Sequence, residues 1–361
     1  MSPSPTRIPS SLTAAPTGRL AFLDGLRAVA VVLVLAQHSL ERLDRGLADG
    51  VDSVLNLGLT GVAVFFLCSG FIIPATLERR GSLRDFWISR FFRLYPLYWL
   101  TLAAAFLLSR VVPISSDGAM TPTAWLADVT MAQSFVRQPN ALSLYWTLGF
   151  EMAFYLLGSV LLVLHAHRHT GTVLAILTVA SVGYSARTYA AGGQPTTILL
   201  VLSLMVVGTA GYRRWAGQMS TPRWAACLGI GVVHVLVVAG LAVRVGGQPI
   251  GQAGATATSW LVALLVFVVG ATCWRVVPRA VRRLGVISYS VYLLQAFAFI
   301  LVPVVEPAPW LTPVLWVGLT LLASTYTYRL VERPAIALGR RIADGQDDRP
   351  VVTVPRREAL T

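Results

Sequence analysis

The chain has 361 residues, of which 55% are hydrophobic and 12% charged. A water-soluble domain carries about 25% charged residues, so this composition excludes an ordinary soluble enzyme and indicates a chain immersed in lipid. The formal charge of +13 comes from 29 basic residues that are all arginine; in so apolar a chain it need not mean nucleic-acid binding, and no nucleic-acid partner is expected.

In chain order, residues 1–18 are rich in Pro, Ser and Thr and read as a disordered cytoplasmic tail. Apolar runs of membrane-spanning length then lie near 20–40, 57–77, 92–112, 142–164, 171–188, 196–212, 224–243, 254–274, 284–303 and 310–331. The fold class expected is therefore all-α, a polytopic membrane helix bundle of about ten transmembrane helices, with one membrane domain over 19–338 and a cytoplasmic tail over 339–361. With the N-terminus inside, 21 arginines fall in cytoplasmic segments and 6 outside, so the positive-inside rule puts both termini in the cytoplasm. The first span reads as a retained helix and not a cleaved signal peptide: it is long and contains Arg27. Internal repeats of the kind that mark many transporters are not evident.

The first span carries Asp24, Arg27 and His38. Charge in a bilayer costs several kcal/mol and rarely stands there without a partner or a task. At ~100° per residue, the eleven steps from Arg27 to His38 return to within about 20°, so the three side chains share a stripe, with Arg27 and His38 about 16 Å apart along it. Next comes Phe65-Phe66-Leu67-Cys68-Ser69-Gly70-Phe71, whose small residues suit close helix packing, while Ser69 can also line a polar cavity. Arg90 and Arg93 stand three apart in an aromatic run that ends Tyr95-Pro96. Two guanidinium forks on one face suit phosphate; they also suit a cytoplasmic helix end that follows the positive-inside rule or meets lipid headgroups. Tyr145 and Trp146 fit an outer aromatic belt, and Glu151 lies deeper, either as a partner for His38 and Arg27 or as a structural hydrogen-bond anchor.

The remaining polar features are weaker. Cys68, Cys227 and Cys273 give no disulfide or metal spacing and read as packing residues. His165, His167 and His169 crowd one short loop, which rarely supplies metal geometry, so no metal is expected. His234 reads as a hydrogen-bonded core residue. Gln295 is an isolated amide in the ninth span, and Glu332-Arg333-Pro334 reads as the end of the last helix.

Six elements occur in one order from residue 22 to 334: Arg27 with ten residues before His38, Phe-Phe-x-x-Ser-Gly-Phe at 65–71, Arg90-x-x-Arg93 with Tyr95-Pro96, Tyr145-Trp146 before Glu151, Ile287-Ser288-Tyr289-Ser290-Val291-Tyr292-Leu293, and Glu332-Arg333-Pro334. In this order the chain resembles the acyltransferase 3 family, membrane acyltransferases that modify glycans, lipids and antibiotics. The resemblance implies an acyl-CoA co-substrate, acetyl-CoA included, and no bound cofactor. It also implies transfer of the acyl group to a hydroxyl of a sugar, glycolipid or macrolide, in a bacterial plasma membrane. It makes His38 the general base, with Glu151, Arg27 and Asp24 around it, and Arg90, Arg93, Ser69 and Tyr95 the acyl-CoA site. An Asp24–Arg27 salt bridge is as compatible with their spacing as substrate contact is. The chain has Gln295 where many relatives have His, and it ends before the extracellular domain that some carry. The competing reading is a proton-coupled transporter or flippase using Asp24, Arg27, His38 and Glu151 as a relay. Oligomeric state is not legible.

Overall fold

The computed structural model describes residues 20–80, 82–112, 114, 118–302 and 310–344; the tail over 1–18 and most of that over 339–361 lie outside them. Helix dominates, and no β-strand occurs among the described residues. The helices are α1 (Ala21–Leu43), α2 (Arg45–Asp52), α3 (Leu57–Arg80), α4 (Leu83–Leu108), α5 (Pro122–Val129), α6 (Trp146–Val163), α7 (Thr170–Ala190), α8 (Ile198–Trp215), α9 (Thr221–Arg244), α10 (Ile250–Cys273), α11 (Arg279–Leu301), α12 (Thr312–Thr327) and α13 (Arg333–Asp344). Nine stretches among the described residues are long and apolar enough to cross a membrane, so the chain is a multi-pass membrane protein. A helix stands at each of the ten expected runs. The fifth, α7, has the length but is diluted by Thr, Ser and Arg187, and it packs against α8 and α9.

Two compact units are present. The first holds the described residues within 1–75, 147–289 and 310–315. Its core is knit by close backbone approach between α3 and α8. A side chain at Gly70 would collide with the Met205 carbonyl, and one at Gly208 with that of Leu67. The Thr209 hydroxyl, one residue on, donates to the Gly70 carbonyl at 3.0 Å. Hydrocarbon offers no hydrophobic drive for association, so this contact distance is what dispersion and polar bonding between helices require. Beside it, the buried Phe71 ring meets Phe22, Tyr212 and Phe267 edge-on at 5.4, 5.7 and 6.4 Å between ring centres, joining α3 to α1, α8 and α10.

The second unit holds the described residues within 76–146, 290–302 and 316–344. Ser82 caps α4 by accepting from the Asp85 amide at 3.4 Å, so the helix begins nine residues before the span expected at 92. Three aromatic side chains of α4 then satisfy carbonyls at the end of α5: Tyr98 donates to Asp128 at 2.6 Å, Trp99 to Val129 at 3.0 Å and Tyr95 to Thr130 at 3.3 Å. Tyr145 is fully buried, its hydroxyl on Thr101 at 3.0 Å and its ring 4.8 Å from that of Tyr98, and so it does not join an outer aromatic belt. Pro334 does not end the last helix. A π turn over Tyr328–Glu332, closed by the Arg333 amide on the Tyr328 carbonyl, shifts the hydrogen-bond register ahead of the proline and lets α13 continue to Asp344. There Gly339 abuts the Phe92 ring of α4.

Candidate active site

In the first unit, α1 carries Asp24 and Arg27 in its first two turns and His38 near its other end. Asp24 is buried at the helix N-terminus, where the helix dipole favours a carboxylate. Asp24 and Arg27 both lie within electrostatic reach of Cys68 on α3. His38 is partly open, with 38% of its side chain exposed, and its Nδ1 lies 2.8 Å from Oε2 of Glu41. A carboxylate only accepts, so Nδ1 carries the proton in this pair, and in the neutral form of the ring the lone pair then lies on Nε2.

Glu41 was not among the residues singled out from sequence. Its spacing of three from His38 on one helix was the available signal. Glu151 accepts from the Tyr155 hydroxyl at 2.6 Å and from Ser69 at 3.4 Å, tying α6 to α3. The Phe-x-x-Ser-Gly-Phe element thus divides its labour: Gly70 and Phe71 pack, and Ser69 meets the carboxylate.

Behind Glu41 stands a polar chain. The buried Gln37 amide donates to Glu41 Oε1 and Asp52 Oδ2, each at 3.0 Å, and its oxygen accepts from the Leu57 amide at 3.1 Å. Asp52, at the end of α2, also accepts from Asn56 at 3.2 Å. Burial pushes the Asp52 carboxyl above its ordinary pKa; the Gln37 hydrogen bond opposes this, and the charges of Glu41 and Asp49 add to it.

The arginine pair lies in the second unit, and its members differ. Arg93 donates to Oε1 of the buried Glu332 at 2.8 Å, and Ser290 donates to Oε2 at 2.8 Å. Arg90 lies over the Phe86 ring, 5.5 Å from its centre. Tyr95 stacks on Phe91 at 5.0 Å, with Trp99 at 5.2 Å beyond it. Elsewhere, His234 pairs with the Ser203 hydroxyl at 2.9 Å in the core, His167 offers its carbonyl to Arg213 at 3.0 Å, and the Gln295 carbonyl accepts from Trp316 at 2.9 Å. Cys68 and Cys227 are buried, whereas Cys273 is exposed at the end of α10.

Residues 20–329 match the profile of the acyltransferase domain that defines the acyltransferase 3 family. The chain belongs to the acyltransferase 3 family. Among its relatives, Acyltransferase MdmB of Streptomyces mycarofaciens is 31% identical over 150 residues, 38% of either chain. The putative peptidoglycan O-acetyltransferase YrhL of Bacillus subtilis (strain 168) is 27% identical over 199 residues, 49% of this chain and 30% of that one. Peptidoglycan O-acetyltransferase OatA of Listeria monocytogenes is 30% identical over 153 residues, 37% of this chain and 23% of that one. Each match covers less than two fifths of the relative's own length. No solved structure is significantly similar to the chain.

Proposed function

We propose that this acyltransferase-family chain moves a short acyl group, acetyl included, from cytoplasmic acyl-CoA to a hydroxyl of a sugar, a lipid-linked glycan or a macrolide in a bacterial plasma membrane. The observation that carries the reading is the His38–Glu41 pair, held at 2.8 Å within a family-matched domain. Glu41 fixes the ring so that Nε2 takes the proton of the acceptor hydroxyl. The hydroxyl oxygen then attacks the thioester carbonyl; a C–O bond forms, the C–S bond breaks, and the imidazolium returns its proton to the leaving CoA thiolate. Direct transfer needs no acyl-enzyme. The two relatives named as peptidoglycan O-acetyltransferases support a hydroxyl-bearing acceptor.

Arg90 binds donor phosphate, its guanidinium set against an aromatic neighbour and suited to a bidentate anion contact. Arg93 is the second phosphate ligand, steadied by Glu332. Ser69 and Tyr95 are assigned to donor binding, and Glu151, Arg27 and Asp24 to catalysis with His38. The excess of arginine on one side of the span pattern supports cytoplasmic termini, with donor entry from that side. The test is transfer of radiolabelled acetyl from acetyl-CoA to a panel of cell-wall sugars, lipid-linked glycans and macrolides by purified protein in nanodiscs. Label in one acceptor class with wild type and none with His38→Ala supports the reading. Label at equal rates in both removes His38 as the base.

A further inference from the structure

We infer that Gln37 is a positioning residue for His38: clamped between Asp52 and the Leu57 amide, it holds Glu41 from behind and so locks the His38 tautomer. The inference rests on the reading of His38 as the base. The three partners of Gln37 fix its orientation. A backbone N–H can only donate, so the Leu57 amide must face the side-chain oxygen, and the two carboxylates must face the nitrogen. Both amide protons and the oxygen are therefore used, inside a site where Gln37 is 3% exposed. Glu41 has one oxygen on Gln37 and the other on His38, so it cannot turn away from the ring without losing a charge-assisted bond.

The far side of the clamp is anchored as firmly. Asp52 takes a second bond from Asn56, whose own oxygen caps α3 through the Leu59 amide at 2.6 Å. The Asn56 amide donates to Ser259 on α10 at 2.9 Å. The imidazole orientation is thus referred through one amide to α2, α3 and α10. Half-exposed charges at a helix end otherwise sample many rotamers, and this arrangement removes that freedom before substrate arrives.

The test uses full-length protein with 15N-labelled histidine in nanodiscs, His38 being assigned by the signal lost in His38→Ala. At alkaline pH the wild-type ring carries its proton on Nδ1. In Gln37→Leu the tautomers mix, and kcat falls ~10-fold or more while the KM for acyl-CoA stays within about twofold. Asp52→Asn, a gentler change at a half-buried position, shifts both readouts in the same direction by less. Gln37→Leu combined with Glu41→Gln loses no more kcat than Glu41→Gln alone, because both act through one contact. A wild-type tautomer in Gln37→Leu and Asp52→Asn overturns the clamp, as do strictly additive losses. The spectrum does not depend on turnover, so full activity in His38→Ala sinks the base reading separately from the clamp.

Discussion

His38 and Glu41 are each about one-third exposed on their side chains, at 38% and 35%. The ring is thus partly accessible while Nδ1 is bonded to Glu41. His38→Ala should lower kcat by ~10²–10⁴-fold with unchanged membrane abundance, the range typical of a lost general base. Glu41→Gln keeps the shape but offers Nδ1 an amide in place of a carboxylate; steady-state kinetics should show a kcat loss of at least ~10-fold with the acyl-CoA KM little changed. Asp24, Arg27, His38 and Glu151 were legible from sequence because a polar side chain stands out in an apolar run. Glu41 was not, because a glutamate in the last turn of a span looks like any solvated helix end. Gln37 was hidden for the opposite reason: its function lies in three hydrogen bonds, two of them tertiary, to residues fifteen and twenty positions away.

The elements explain why Arg90 and Arg93, three residues apart, meet different surroundings. Arg93 is bonded to a carboxylate that is 1% exposed and that a π turn presents toward α4 and Ser290. Removing one partner of such a pair leaves a charge uncompensated, at a cost of ~3–5 kcal/mol when fully buried and about 2–3 here, since Arg93 is one-fifth exposed. Arg93→Ala and Glu332→Ala should therefore lower the thermal midpoint in detergent by similar amounts, and the double variant by little more. Arg90→Ala should leave the midpoint near wild type and raise the acyl-CoA KM. At the α3–α8 crossing, Gly70→Ala and Gly208→Ala should each cut folded yield, since an added methyl meets a backbone carbonyl that cannot swing aside. The small residues of the 65–71 element signalled close packing on α3, but not that α8 is the partner. The start of α4 at Leu83 was missed because the Ser82 cap sits in a polar stretch that hydropathy alone scores as a loop.

At the scale of the molecule, hydropathy located every long helix, since lipid leaves the backbone no alternative to internal hydrogen bonding. It said less about the ends: the stretch Thr312–Ala343, 32 residues and roughly 48 Å of helix, exceeds the ~30 Å hydrocarbon core, so part of it projects beyond the bilayer. With cytoplasmic termini, a fluorescent protein fused after Asp344 should fold and glow, and alkaline phosphatase at the same point should stay inactive; the reverse pattern inverts the topology. The most direct test of the central claim is release of free CoA from acetyl-CoA by purified protein in nanodiscs, with and without a hydroxyl acceptor, wild type beside His38→Ala. The account predicts release that rises with acceptor and disappears in the variant. Equal release by the two proteins, or acceptor acylation without CoA appearing, would contradict it.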